Sequence, residues 1–208
     1  MIQIKEMKLM RIEIRDDSVL IDGYVNAVER DSKVLTDASG KFIEKIASGA
    51  FRRSLERANR TGCPVKVLLN HNYTRVLSSN ADDKTHISED NIGLRCRCEI
   101  RDKEVIEKAR NKKLVGWSFG FIPIKEERTD EDIPHRTIRE LELKEVSILD
   151  DTRKPAYNGT SIEVRAEELD NLIELRFLPD EVETVEVKEK EPNNNHIYEN
   201  RYMELRAI

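Results

Sequence analysis

The chain has 208 residues, 38% of them hydrophobic and 37% charged, enough for one domain with a modest core under a heavily charged surface. A net charge of −5 gives no electrostatic reason to approach DNA or an acidic membrane, and 5% aromatic residues provide no large stacking surface for single-stranded nucleic acid. No apolar run approaches the roughly 20 residues of a membrane span, and the N-terminus shows neither the apolar core nor the small-residue cleavage site of a secretory leader. No nucleic acid, no membrane and a reducing cytoplasm are therefore expected. Three cysteines make no disulfide framework. Cys96 and Cys98, two apart in an alternating stretch, share a strand face and read as buried thiols rather than half of a metal site. The basic residues Arg52, Arg53, Arg57 and Arg60, interrupted by Glu56, read as a solvated helix face.

In chain order, Ile12 and Ile14 alternate with Arg11, Glu13 and Arg15, a strand period. Asp16-Asp17-Ser18 turns the chain into a second strand from Val19 toward Val28, forming a hairpin. Residues 31–41 are polar and read as a loop. Gly49–Asn59 predicts a helix with Ala50, Phe51, Ser54, Leu55 and Ala58 inward and Ser48 as cap. Gly62 and Pro64 break the chain before a short apolar strand, Val65–Leu69, which ends at Asn70-His71-Asn72. A further strand is expected over Thr74–Leu77, and a polar loop over Asn80–Asn91.

Leu94, Cys96, Cys98 and Ile100 alternate with charged residues, predicting a half-buried strand. Asp102–Lys112 predicts a helix capped by Asp102. Leu114–Lys125 and Thr137–Leu149 read as two long strands, and Ser161–Arg165 as a short last one. Beyond it, Leu169, Leu172, Ile173 and Phe177 fall at helical spacing, so a helix is expected over 166–179. Asp180–Glu191 and Pro192-Asn193-Asn194-Asn195 read as an exposed charged linker opening a tail over 180–208. The first 165 residues are then one mainly β domain, a barrel or packed antiparallel sheets, with two or three helices in the whole chain. Met203-Glu204-Leu205-Arg206 echoes Ile12-Glu13-Ile14-Arg15, which suggests either chance or a tail strand at a sheet edge.

The chemistry concentrates in Gly116-Trp117-Ser118-Phe119-Gly120-Phe121. On a strand, Trp117, Phe119 and Phe121 face the core, while Ser118 stands between two glycines on the other face, an open patch that a peptide backbone can approach. His71, at the end of its apolar strand, can take a proton from a serine and return it to a leaving amine. The strand Arg139–Ser147 offers three carboxylates. By alternation Leu141, Leu143 and Glu145 share the apolar face, where an unpaired charge is costly, so Glu145 is the anomalous one, while Glu140 and Glu142 read as solvent-facing. Ser147 is a rival nucleophile without flanking glycines. A metal-dependent hydrolase using His71, His86 and His135 is a weaker reading, since these show no zinc-site spacing.

These motifs resemble the prohead maturation proteases of tailed bacteriophages, serine peptidases whose fold is like that of the herpesvirus assembly protease. The resemblance runs from about Arg11 to Arg165. It rests on Asp22-Gly23-Tyr24-Val25, Ala47-Ser48-Gly49-Ala50-Phe51 before a helix, Leu69-Asn70-His71-Asn72, the Ser118 strand, and Leu143–Ile148 followed by Pro155-Ala156-Tyr157. It implies Ser118 as nucleophile, His71 as general base and Glu145 as the acidic member, with no cofactor and no metal. The family more often carries a glycine-containing turn where this chain has Ser78-Ser79. As partners, the resemblance implies the major capsid protein or its scaffold segment as substrate, inside the assembling prohead in the bacterial host cytoplasm. It also implies self-association; the apolar side of 167–177 is the candidate surface, the alternative being that this helix packs on its own domain. The exposed linker offers a place for self-trimming between about Pro179 and Asn200. The competing reading is a non-catalytic assembly protein that keeps the fold.

Overall fold

The computed structural model describes residues 10–37, 40–153, 164–166, 172–179 and 182–187. Strands β1 (Met10–Ile14) and β2 (Val19–Ala27) form the expected hairpin, with Ile12 opposite Ile21 and the turn closed by Arg15 N donating to Ser18 O at 2.9 Å. The next elements are β3 (Leu35–Asp37), β4 (Gly40–Ile46), helix α1 (Ala50–Thr61), β5 (Lys66–Leu69), β6 (Val76–Ser79), β7 (Thr85–Glu89), β8 (Gly93–Ile100) and helix α2 (Lys103–Arg110). The two long strands β9 (Leu114–Arg128) and β10 (His135–Asp150) follow, then β11 (Val164–Ala166), β12 (Leu172–Pro179) and β13 (Val182–Glu186).

One sheet has the order β13-β1-β2-β8-β7. The other runs β11-β12-β9-β10-β4-β3, with β5 and β6 attached beside β10. The protein is thus mainly β with two α-helices among the described residues, as the alternation predicts. Ile12, Ile21, Cys96 and Cys98 from the first sheet share one core with Trp117, Phe119, Phe121, Val146 and Ile148 from the second. Phe119 is the pivot. Phe51 of α1 meets it edge-on at 5.5 Å, and Phe121 stacks on it at 5.4 Å. Cys96 and Cys98 are buried free thiols; the hydrogen bond from Cys98, together with burial, pushes the Cys96 thiol well up.

Strand β10 organises the second sheet. It pairs with β9 along its length, with β4 in parallel over residues 135–138, and with β5 in parallel over 145–148. Helix α1 fills the gap between β4 and β5: Arg53 Nη2 donates to Arg139 O at 2.6 Å, and Leu143 N donates to Ser54 Oγ at 2.8 Å.

Several expectations are corrected. Residues 31–41 hold β3 and the start of β4, because the buried face of β4 reads Phe42, Glu44, Ile46 and the buried glutamate interrupts the apolar alternation. β7 lies inside the expected 80–91 loop, with only Thr85 and Ile87 turned inward. Of the helix expected over 166–179, the described residues, Ala166 and Leu172–Pro179, lie in strands, the latter being β12. Its sequence fits both periods, since Ile173 and Leu175 also alternate with Glu174 and Arg176, and pairing with β9 decides. The helical surface for self-association is thereby lost.

Within the expected linker, β13 pairs in parallel with β1, so each sheet takes a strand from beyond residue 165. The stretches 188–208 and 154–163, which include most of the tail and Pro155-Ala156-Tyr157, lie outside the described residues. Ser48 does not cap α1: the N-cap is Gly49, in a left-handed conformation with φ 82°, and its side-chain acceptor comes from another strand. The Glu89 carboxylate accepts from Gly49 N at 2.5 Å and Arg52 N at 2.7 Å.

This cap yields a stability prediction. Glu89→Ala should cost about 1 kcal/mol, as loss of an N-cap acceptor does, and Glu89→Gln less, since one acceptor oxygen remains. Thermal unfolding of the three proteins measures the difference.

Candidate active site

His71 sits in a tight turn at the end of β5. Asn70 and His71 have φ of 54° and 59°, and Asn72 N donates to Leu69 O at 3.0 Å, the geometry of a type I′ turn. Neither central residue is glycine, and a left-handed conformation costs a residue with a side chain on the order of 1 kcal/mol. Strand β10 holds the turn in place. Asn70 N donates to Ile148 O at 2.9 Å, Asp150 N to Asn70 Oδ1 at 3.1 Å, and His71 N to Ser147 Oγ at 3.1 Å. Asp150 anchors this end of β10. Burial pushes its carboxyl up, but Lys108, Thr152 and Asn70 outweigh that and hold it down at about 2.

Glu145 is fully buried and reaches His71 Nδ1 through Oε1 at 2.8 Å. A carboxylate only accepts, so in that pairing Nδ1 carries the proton. Its other oxygen, Oε2, accepts from Ser147 Oγ at 2.6 Å. The carboxylate singled out by sequence thus does meet the histidine, but the alternation used to choose it does not hold. The β9–β10 register shifts between Leu143 and Glu145, leaving Lys144 as the extra residue of a bulge. Leu141 and Leu143 face the core, and Glu145 faces the opposite side with Ser147. Glu142 pairs at the surface with Lys144 at 2.8 Å.

Ser118 lies directly across the ladder from Ser147, about 5 Å away between Cα atoms. Trp117, Phe119 and Phe121 point into the core as expected. The open patch around Ser118 is not there: the residue is 1% exposed, β12 runs alongside, and the Ser118 hydroxyl donates to Arg176 O at 2.7 Å. The space left by Gly120 is also filled. A Cβ there would stand 2.6 Å from Glu145 Oε1, 3.0 Å from Leu175 Cδ2 and 3.2 Å from Ile173 Cγ2. This glycine makes room for a carboxylate, not for a passing peptide.

On the other face of β12, Arg176 is clamped by a buried ion cluster. Its guanidinium donates to both oxygens of Glu44 at 2.7 Å, and Arg136 joins Glu44 at 3.1 Å and Glu174 at 2.6 and 2.8 Å. Glu126 closes the group on Arg136. Burial pushes the Glu174 carboxyl up, but Arg136 and Arg176 more than offset this and hold it low. A polar cavity of about 620 Å³ opens beside His71, lined in part by Asn72, Thr74, Arg75 and Glu104. Arg75 is tied across it to Asp102 at 2.5 Å and to Glu104.

Sequence reasoning missed the Arg176 cluster and the bridging role of Ser147. Part of the signal for the first was available: Glu44 stands between Phe42 and Ile46 on an otherwise apolar strand face. His86 is exposed on β7 and His135 opens β10, 3.9 Å from Asp31. Among the described residues no three His, Cys, Asp or Glu side chains come together as a metal site.

Residues 5–174 match the family model described as caudovirus prohead serine protease. The chain belongs to that family. No curated protein and no solved structure matches it, so the likeness to the herpesvirus protease fold has no matching structure behind it. The activity of this prohead protease is accordingly that of a serine peptidase. No helix among its described residues is long and apolar enough to cross a membrane.

The packing at Gly120 gives a test of how firmly Glu145 is held. A strand normally gains from Gly→Ala, but here the added methyl would drive the carboxylate off His71 or displace β12. Gly120→Ala should therefore destabilise the protease by about 1–3 kcal/mol in urea unfolding. A neutral result would mean the carboxylate yields freely.

Proposed function

We propose that this prohead protease cleaves the capsid protein or a scaffold segment by acyl transfer through Ser118, with His71 as general base and Glu145 orienting it. The observation that supports this is the buried His71–Glu145 contact, in which the carboxylate stands on the strand beside Ser118 and on the same sheet face. With Nδ1 held by Glu145, Nε2 is the atom that takes the Ser118 proton. The Ser118 oxygen attacks the scissile carbonyl carbon, and the imidazolium that forms is balanced by the carboxylate. His71 then hands the proton to the leaving amine, and water releases the acyl group by the same route in reverse. Ser147 is the poorer nucleophile, since its proton is given to Glu145 and its oxygen accepts from His71 N.

The decisive experiment is labelling with a fluorophosphonate followed by peptide mapping. The label should fall on Ser118, and Ser118→Ala should lose it while processing of co-expressed capsid precursor drops by several orders of magnitude. Glu145→Gln should depress turnover more than Glu142→Gln or Glu140→Gln. A label mapped elsewhere, or normal processing by Ser118→Ala, would sink the assignment.

In this reading the arrangement with Ser118 bonded to Arg176 O is a resting one, because the single hydroxyl proton cannot also go to His71. Cleavage then requires β12 to shift. Arg176→Ala removes the clamp on β12 without touching Ser118, His71 or Glu145, and should raise the rate of fluorophosphonate labelling severalfold. An unchanged rate would mean β12 does not guard the serine.

A further inference from the structure

We infer that Ser147 is a positioning residue, the hydroxyl that sets both the imidazole of His71 and the carboxylate of Glu145 for proton transfer; this rests on the roles proposed above. Two bonds meet on its oxygen. It donates to Glu145 Oε2 at 2.6 Å and accepts from His71 N at 3.1 Å. The first leaves Oε1 to face His71 Nδ1 at 2.8 Å, so the carboxylate cannot rotate about its own axis without breaking a bond at each end. The second acts on the backbone. His71 is held at φ 59°, a conformation that a residue with a side chain keeps only when its surroundings enforce it, and its N–H is the donor that Ser147 secures.

The location excludes solvent from replacing these bonds. Ser147 and Glu145 are both fully buried, so a lost hydroxyl leaves Oε2 and the His71 amide short of a partner where water has no ready access. The parallel pairing of β5 with β10 places Ser147 opposite Leu68, three residues before His71, so the turn brings the histidine back over the hydroxyl. One short side chain thus ties the base to its acid and ties the base's backbone to the strand next to the nucleophile. A hydroxyl does this with a donor and an acceptor on one atom. Alanine has neither, and threonine keeps both.

The test compares wild type, Ser147→Ala and Ser147→Thr as full chains, each checked to be folded at the assay temperature by a cooperative melting transition above it. The fluorophosphonate gives the maximal labelling rate constant of Ser118 and the half-saturating probe concentration separately. Ser147→Ala should lower the maximal rate roughly ten- to a hundredfold, the scale of misplacing a catalytic group by a fraction of a bond length to an ångström, with the half-saturating concentration within about twofold of wild type. Ser147→Thr should recover most of the rate.

Histidine-selective NMR supplies a readout independent of reactivity. The His71 Nδ1–H resonance should move in Ser147→Ala and stay near its wild-type position in Ser147→Thr. Wild-type rates with an unmoved resonance in Ser147→Ala would overturn the inference, as would a threonine variant that folds normally but is as slow as alanine. A label that maps away from Ser118 in the wild type would overturn the nucleophile assignment instead, and the resonance alone would then decide whether Ser147 positions His71.

Discussion

A carboxylate buried without a single exposed atom is the constraint from which much of this structure follows. Glu145 has 0% exposure, and an ionised group in that position is tolerable only if its oxygens are fully engaged. The partners come from three places: His71 from the turn after β5, Ser147 from two residues along β10, and the empty volume over Gly120 on β9. Each carries a cost of its own. The turn keeps two residues at positive φ, the bulge at Lys144 breaks the β9–β10 ladder, and the glycine weakens a central strand. A fold with no use for the carboxylate would have no need to keep all three. Their joint presence fits the catalytic role proposed for the carboxylate.

A second buried charge group governs β12. Arg176, Arg136, Glu44, Glu174 and Glu126 form a connected cluster at the rim of the core, with Arg176 also stacked over the Phe121 ring at 5.1 Å. Buried ion pairs often add little net stability compared with apolar replacements, but they are exacting about geometry. A one-residue slip of β12 against β9 would put Ile173 and Leu175 against Glu44 and Arg136, and Arg176 over Gly120. The cluster therefore fixes the register that brings Arg176 O to the Ser118 hydroxyl. The same contacts that finish the sheet also occupy the serine.

How much of this was legible depended on whether a local pattern and its tertiary context agreed. The β1–β2 hairpin, β8, α2 with its Asp102 cap, and the inward Trp117, Phe119 and Phe121 all follow from periodicity because nothing in the assembled sheet opposes it. β4 and β12 were misread where a buried charge interrupts the alternation, or where an apolar spacing fits helix and strand equally. At the site, Glu145 was found for a reason that fails. Strict alternation places it with Leu143, and the bulge, invisible in sequence, turns it to the other face. Gly120 shows the opposite error: the glycine was noticed, but a sequence cannot say whether the missing side chain admits a substrate or a neighbour.

The two halves of the proposed site differ in how they are held. His71, Glu145 and Ser147 lie on β5 and β10, joined by parallel pairing and by the turn's own bonds to Ile148 and Asp150. Under the roles proposed above they form a preorganised unit that needs no rearrangement to accept a proton. Ser118 lies on β9, between β10 and β12, and its hydroxyl is spoken for on the β12 side. β12 has only the three-residue β11 beyond it in the sheet, so its departure leaves the β9–β10 pairing intact. In the mechanism proposed above, this arrangement keeps base and acid in place and acts only on the nucleophile. On that proposal, activation costs the loosening of one near-edge strand and its arginine, rather than the building of a catalytic site.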